Sequence, residues 1–180
     1  MILRLLAMCA AILLSSAVSG LAVADAAPDL RDTLRQRYIV SHIEVQNTPT
    51  EGVVVKQGTV LTLRGGAVPA RRARYVQANT KSPRFHVHDY ARVEIANGRA
   101  DIAGPNDFML PTGTRLVILG LKVDRDAIRL FTHTVRPVAT ADGKPVYGCT
   151  EFVFRVDPAV VQGSDPAPAQ RAIEQWLTVA

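Results

Sequence analysis

The segment RVEIANGRADIA, residues 92–103, limits more than any other how this chain can fold. Val93 and Ile95 alternate with charged residues, Asn97 and Gly98 then form a two-residue turn signal, and the alternation resumes after them. Period-two alternation around an Asn-Gly pair is the strongest short-range signal for a β-hairpin. The segment therefore predicts two antiparallel strands in a sheet with one buried face.

Two further segments carry the same kind of pattern. Residues 59–63 (TVLTL) are followed by a Gly-Gly pair and then by residues 67–70 (AVPA). This predicts a hairpin whose second strand Pro69 places at a sheet edge. Residues 115–123 and 127–135 flank an Asp-Arg-Asp turn and predict another hairpin. Its first strand is apolar on both faces, which is typical of a central strand.

The two ends of the chain have helical patterns instead. Residues 29–38 place apolar side chains four positions apart, which predicts a short helix. After a predicted strand at residues 146–156, residues 163–170 form a Pro-rich linker with capping residues. Residues 171–180 then carry one apolar helical stripe. We expect this last helix to dock on the sheet.

Together these patterns predict a mainly β fold, a small antiparallel barrel or sandwich with an N-terminal and a C-terminal helix. Two hairpin segments, each preceded by a Gly-Thr turn, are loosely alike, which keeps SH3-like hairpin pairs open as one form of this fold. The expected division is a signal peptide at residues 1–26, a β domain with its N-terminal helix at 27–160, and a linker with the closing helix at 161–180.

The first residues have the pattern of a secretory signal peptide. Arg4 is followed by an apolar stretch at residues 5–14, and Ala24 and Ala26 occupy the two small-residue positions of a cleavage site. Cleavage after Ala26 predicts an exported protein of the periplasm or the extracellular space. A retained anchor is the open alternative, because residues 5–24 are uncharged. The rest of the chain has no second long apolar run, so no further membrane span is expected.

Cleavage would also leave Cys149 as the single cysteine of the mature chain. One cysteine cannot form an internal disulfide, so stability has to come from a hydrophobic core.

Four segments resemble a group of small, exported, β-rich bacterial proteins: LRDTLRQRYIV, VKQGTVLTLRGGAVP, LPTGTRLVILGLKVDRDAIRLFTHT and YGCTEFVFRV. In that group a helix ending in Tyr, a Gly-Thr-Val-Leu hairpin, a second Gly-led hairpin and a late aromatic strand recur in this order. The resemblance implies a small β-rich envelope protein, and it assigns no activity and no catalytic residue.

Charge is distributed unevenly along the chain. Residues 52–88 contain no acid but seven Lys and Arg residues, more than the formal net charge of +5, so the remainder is net acidic. The planar guanidinium group suits phosphate and carboxylate groups. We therefore expect an anionic envelope component or an acidic protein as the partner of a basic β face, which would be formed by Arg64, Arg71, Arg72, Arg74 and Arg84.

Other interpretations of the basic face remain open. It could be a solvated surface without a dedicated ligand, or a single-strand nucleic-acid surface, since aromatic residues lie nearby. An exported protein meets little nucleic acid, which disfavours the second option. The expected function is thus non-catalytic binding or scaffolding in the bacterial cell envelope, with no cofactor and with the oligomeric state left open.

A metal-dependent hydrolase is the alternative function. On a strand, His86 and His88 would point to the same face, and His133 could be a third ligand. Zinc needs three or four ligands, and no second motif supplies them. Cys149 paired with His133 was the other catalytic option, but the segment VYGCTEF is typical of a strand interior, where a cysteine is an inert apolar residue.

Overall fold

A computed structural model describes residues 29–45, 52–79, 82–87, 89–163 and 165–180. The predicted signal peptide lies outside the described residues. Within these ranges no helix is both long enough and apolar enough to cross a membrane. The elements, in chain order, are α1 (Leu30–Arg37), β1 (His42–Val45), β2 (Gly52–Lys56), β3 (Val60–Leu63), β4 (Val68–Arg72), β5 (Tyr75–Asn79), β6 (Ser82–Val87), β7 (Ala91–Ala96), β8 (Arg99–Ala103), β9 (Phe108–Leu110), β10 (Arg115–Val123), β11 (Ala127–Thr134), β12 (Ala139–Ala141), β13 (Lys144–Val146), β14 (Gly148–Arg155), α2 (Pro158–Gln162), α3 (Ala167–Glu174) and β15 (Leu177–Val179).

Nine strands form one curled sheet that makes a half-barrel, which confirms the mainly β prediction. Its path runs β15-β3-β10-β11-β14-β4-β9. The edge of β14 is divided between two neighbours, because Gly148 and Cys149 pair with β4 whereas residues 150–154 pair in parallel with β7. Strand β8 extends the sheet beyond β7. The strand pairs β1-β2, β5-β6 and β12-β13 are small separate ribbons.

The main core fills the curl of the sheet and is closed by the two terminal helices. Phe152 and Phe154 lie fully buried on one face of β14 and stack on each other with ring centroids 6.2 Å apart. Leu34 of α1 and Ile173 of α3 are buried in the same cluster, so each helix packs an apolar side chain into the main core. Burial of such apolar side chains is the dominant favourable term in folding.

Two of the predicted hairpins are confirmed. Strands β7 and β8 are joined by Asn97 and Gly98, which both have positive φ, 51° and 73°. This is the left-handed backbone that a tight two-residue turn requires. Strands β10 and β11 pair along their length, and β10 lies between β3 and β11, as its double-sided apolar pattern indicated.

The predicted hairpin across the Gly-Gly pair is wrong. Strand β3 pairs with β10 and β15, whereas β4 pairs with β14 and β9, so the two strands are not neighbours. The edge assignment for Pro69 is also corrected, because β4 has neighbours on both sides. Pro69 is tolerated because the β14 ladder pairs only with Arg71 and Arg72, so no N–H is required of Pro69 on that side. Its carbonyl accepts a hydrogen bond from the Thr150 hydroxyl at 2.7 Å. The glycine pair turns the chain, but it does not determine which strand lies alongside.

The C-terminal segment also differs from its prediction. The helix is α3, which begins within the predicted linker, and residues 177–179 form β15 on the edge of β3 instead of continuing the helix. The amide of Ala167 donates to the Asp165 carboxylate at 2.9 Å, which helps the helix to begin there. The β-branched residues Thr178 and Val179 favour a strand, and β3 offers them an unpaired edge. The short helix α2 was not predicted.

Gly65 is one of the glycines at which a side chain would clash with the rest of the fold. A Cβ atom there would lie 2.0 Å from the ring of Trp176, whereas Gly66 has no atom within 4 Å of the corresponding position. Gly65→Ala should displace the indole and lower the free energy of unfolding by about 1–3 kcal/mol, the usual effect of overpacking. Gly66→Ala is the matched control and should leave stability unchanged or raise it by up to about 1 kcal/mol. Urea unfolding of both variants checks this, and equal effects would contradict it.

Candidate anion-binding site

Strand β4 and the residues after it carry the predicted basic cluster. Ala70 and Ala73 are buried, whereas Arg72 and Arg74 are exposed to solvent. The amide of Ala73 donates to the carbonyl of Tyr147 at 2.9 Å, which fixes this backbone beside the start of β14. Arg72, at the end of β4, and Arg74, just beyond it, therefore both present their side chains to solvent. Among the described residues, no ion pair joins either of them to an acid.

Arg71 has a different environment from its neighbours. Its side chain is only 25% exposed, and its Nε atom lies 3.2 Å from Oδ2 of Asp107 in an ion pair. The same carboxylate oxygen accepts a hydrogen bond from the backbone amide of Arg72 at 2.8 Å. Asp107 therefore offsets the charge of Arg71 and anchors β4. Of the predicted cluster, Arg72 and Arg74 remain as the outward-facing cations.

A cleft of about 240 Å³ opens beside Arg72. The ribbon β12-β13 forms its other wall, and its turn residues Asp142 and Gly143 both have positive φ. Lys144, exposed on β13, adds a second cation to the lining, and Asp142 is the one acid in it. The full lining is Arg72, Ala73, Ala141, Asp142, Lys144, Pro145, Val146 and Tyr147. We refer to this feature as the basic cleft.

The structure places Arg64 away from the basic cleft. Arg64 follows β3, where its backbone amide donates to the carbonyl of Trp176, and three strands separate β3 from β4 along the sheet. Arg84 lies in β6, for which the structure describes the backbone pairing alone. Lys144 was missed by the sequence reasoning, because it lies 72 residues after Arg72 and only the sheet pairing places it nearby.

Two other arginines of the sheet, Arg129 and Arg155, are paired with acids. Arg155 donates to Glu94 at 2.7 Å and to Asp126 at 2.8 Å, and Arg129 donates to Glu151 at 3.2 Å. The hydrogen bond from Arg155 holds the pKa of Glu94 below its usual value. These exposed pairs contribute little stability individually. On the outer face of β7, β11 and β14, these arginines therefore lie beside acids.

A buried polar cluster lies beneath the basic cleft. His133 of β11 is 1% exposed and stacks on Tyr147, a lining residue of the cleft, with ring centroids 4.9 Å apart. Its Nδ1 atom donates to the carbonyl of Thr134 at 2.7 Å, so Nε2 is the acceptor for the hydroxyl of Tyr75 at 2.6 Å. Burial lowers the pKa of His133 from 6.5 to about 4. The imidazole is therefore neutral at pH 7, and both of its nitrogens are occupied.

Cys149 belongs to the same buried cluster. It is fully buried on β14, paired across the ladder with His133, and packs with Ala73 and Tyr75. Burial raises the pKa of its thiol far above the usual value, and burial does the same for the phenol of Tyr75. A thiol that stays protonated is a poor nucleophile. The arrangement is that of a small second core, which supports the backbone under the basic cleft.

The histidine set of the alternative function is not assembled in the described part of the chain. His88 lies outside the described residues, and of His86 the structure gives the pairing with Val76 alone. His133 has no free ring nitrogen, as shown above. Within the described ranges no group of three or more His, Cys, Asp or Glu side chains could hold a metal ion.

Comparison of the chain with protein-family models, with curated proteins and with solved structures gives no match.

Proposed function

We propose that the protein is a non-catalytic binding protein of the bacterial cell envelope that contacts an anionic partner through the basic cleft. The observation that carries the proposal is a pair of exposed arginines, Arg72 at the end of β4 and Arg74 two residues later, with Arg72 lining a cleft that holds a further cation. Planar guanidinium groups suit phosphate and carboxylate groups, so two of them close together favour an anionic partner over a neutral one. The proposal includes export because the N-terminal sequence predicts a signal peptide.

Binding to anionic and neutral surfaces tests the proposal. The purified protein is titrated with vesicles of neutral phosphatidylcholine, with vesicles containing phosphatidylglycerol, and with soluble polyglutamate. The variant is Arg72→Glu/Arg74→Glu, which leaves Arg71 in place because a new acid there would face Asp107. We expect binding to at least one anionic target, weakened by at least about tenfold in the variant, since each basic residue near an anionic surface contributes about 1 kcal/mol.

The control variant is Arg99→Glu/Arg125→Glu, which changes the net charge equally at two exposed positions away from the cleft. We expect its affinity for the anionic targets to fall by less than about threefold, because only long-range charge effects reach these positions. Equal losses in the two variants would mean that the cleft has no special role. Failure of the wild-type protein to bind any anionic target would refute the proposed function itself.

A further inference from the structure

A second and larger cleft lies beside residues 136–138, which lead into the β12-β13 ribbon. Its volume is about 550 Å³, within the range of about 300–1,000 Å³ typical of small-molecule sites. It lies between residues 108–115, which run from β9 into β10, and residues 136–138, which run from β11 into β12. The lining is Phe108, Met109, Leu110, Pro111, Gly113, Thr114, Arg115, Arg136, Pro137 and Val138.

Most of the wall of this second cleft is apolar. Met109 is 49% exposed, an unusual degree for a large apolar side chain, while Phe108 and Val138 are half-buried against the main core. Methionine is flexible and polarisable, and it adapts its shape to apolar ligands. A wall of this composition favours an aliphatic chain over a sugar or a nucleotide.

Two arginines supply the charge of the second cleft. Arg115 begins β10 and Arg136 follows β11, and both are exposed. The amide of Val135 donates to the carbonyl of Arg115 at 2.9 Å, which holds the two positions side by side across the strand pair. The lining contains no acid, and no ion pair to either arginine occurs in the described ranges. The cleft therefore complements a ligand with an aliphatic body and one anionic end.

We propose that this second cleft binds a single acyl chain that ends in a carboxylate or a phosphate. The anionic end would be bound by Arg115 and Arg136, and the chain would lie along Phe108, Met109 and Val138. A cleft of this volume suits one chain and not a two-chain phospholipid. The site is distinct from the basic cleft.

The two clefts lie close together at the base of the β12-β13 ribbon. Val138 lines the second cleft and Val146 lines the basic cleft, while the amide of Val138 donates to the carbonyl of Val146 at 2.7 Å. This hydrogen bond links the walls of the two clefts.

Calorimetric titration with three ligands of equal chain length tests the proposal. Decanoate, decyl phosphate and decanol are used, each below the concentration at which it self-associates. We expect saturable binding of one anionic ligand per chain, and binding of decanol at least about tenfold weaker. Tighter binding of decanoate would assign the site to free fatty acids, and tighter binding of decyl phosphate to phosphate-bearing lipids. Equal affinity for decanol and both anions, or no saturable binding at all, would overturn the proposal.

Three variants locate the binding on the protein. Arg115→Gln/Arg136→Gln should weaken binding of the anionic ligands by about tenfold and leave decanol unchanged. Met109→Asp should weaken the binding of all three ligands. Met109 is exposed, so this substitution should not disturb folding. Arg72→Glu/Arg74→Glu should bind them as the wild-type protein does, which separates this site from the proposed function. Wild-type affinity in the first two variants would overturn the assignment.

Discussion

Phe152→Ala should lower the free energy of unfolding by about 3–5 kcal/mol, a large part of the about 5–15 kcal/mol available to a domain. Phe152 is fully buried on β14, which β11 and β7 flank on either side. Its cross-strand neighbours are Leu130 and Val93, both fully buried. The ladders on both edges hold the backbone in place, so the cavity left by the ring cannot collapse.

Urea unfolding checks this expectation, with Ile102→Ala as the control. Ile102 lies on β8 and is 45% exposed, so its truncation should change stability by less than about 0.5 kcal/mol. If Phe152→Ala does not fold, Phe152→Leu should fold with a smaller loss, below about 1.5 kcal/mol. A Phe152→Ala protein as stable as the Ile102→Ala protein would contradict the placement of this ring in the core.

Stability should fall by about 2 kcal/mol between pH 7 and pH 5 because of His133 alone. Burial lowers its pKa to about 4 in the folded protein, whereas the unfolded chain takes up a proton near pH 6.5. The stability that depends on the neutral ring is therefore complete above pH 6.5 and is lost progressively as the pH falls towards 4. Each pH unit in that window amounts to about 1.4 kcal/mol.

The side chains around His133 do not offset this effect. Tyr75 and Cys149 have pKa values raised by burial, so both stay neutral between pH 5 and pH 7. The measurement is urea unfolding at pH 7 and at pH 5 for wild type, His133→Gln and His42→Gln. The drop should shrink by about 2 kcal/mol in His133→Gln and persist in His42→Gln, because His42 is exposed. An identical drop in all three proteins would show that His133 is protonated in the folded state.

The sequence predicts this fold well where the signal is local. Asn97 and Gly98 specify their own turn, and the double-sided apolar pattern of residues 115–123 identified a central strand correctly. The helix at residues 30–37 begins at Asp29, whose carboxylate accepts the amide of Asp32 at 2.8 Å. Each of these features depends on residues within a few positions of one another.

Pairing between distant segments could not be predicted in this way. Nothing local to β4 indicates that it lies beside β14, some eighty residues later, or that Trp176 packs over Gly65. The strand β15 exists because β3 has an open edge, and an edge is a property of the whole sheet. The residues of a turn show where the chain changes direction, but packing determines which strand becomes the neighbour in the sheet.

The candidate sites, too, could be predicted from the sequence only where the signal was local. The acid-free stretch of the sequence indicated Arg72 and Arg74 as binding residues. It also indicated Arg64, which lies three strands away in the sheet, and Arg71, whose charge is offset by Asp107. The second cleft is assembled from residues 108–115 and 136–138, and neither segment has a recognisable motif. The basic cleft in turn depends on where the β12-β13 ribbon lies.

The most direct test of the central claim is crosslinking in living cells of the C-terminally tagged protein, followed by identification of what is crosslinked. Wild type, Arg72→Glu/Arg74→Glu and Arg99→Glu/Arg125→Glu are compared in parallel. The proposed function predicts a recurrent anionic partner in the cell envelope that is lost in the first variant and retained in the second. The same crosslinked set in all three proteins, or no recurrent partner in any, would contradict the claim that the basic cleft is a binding site.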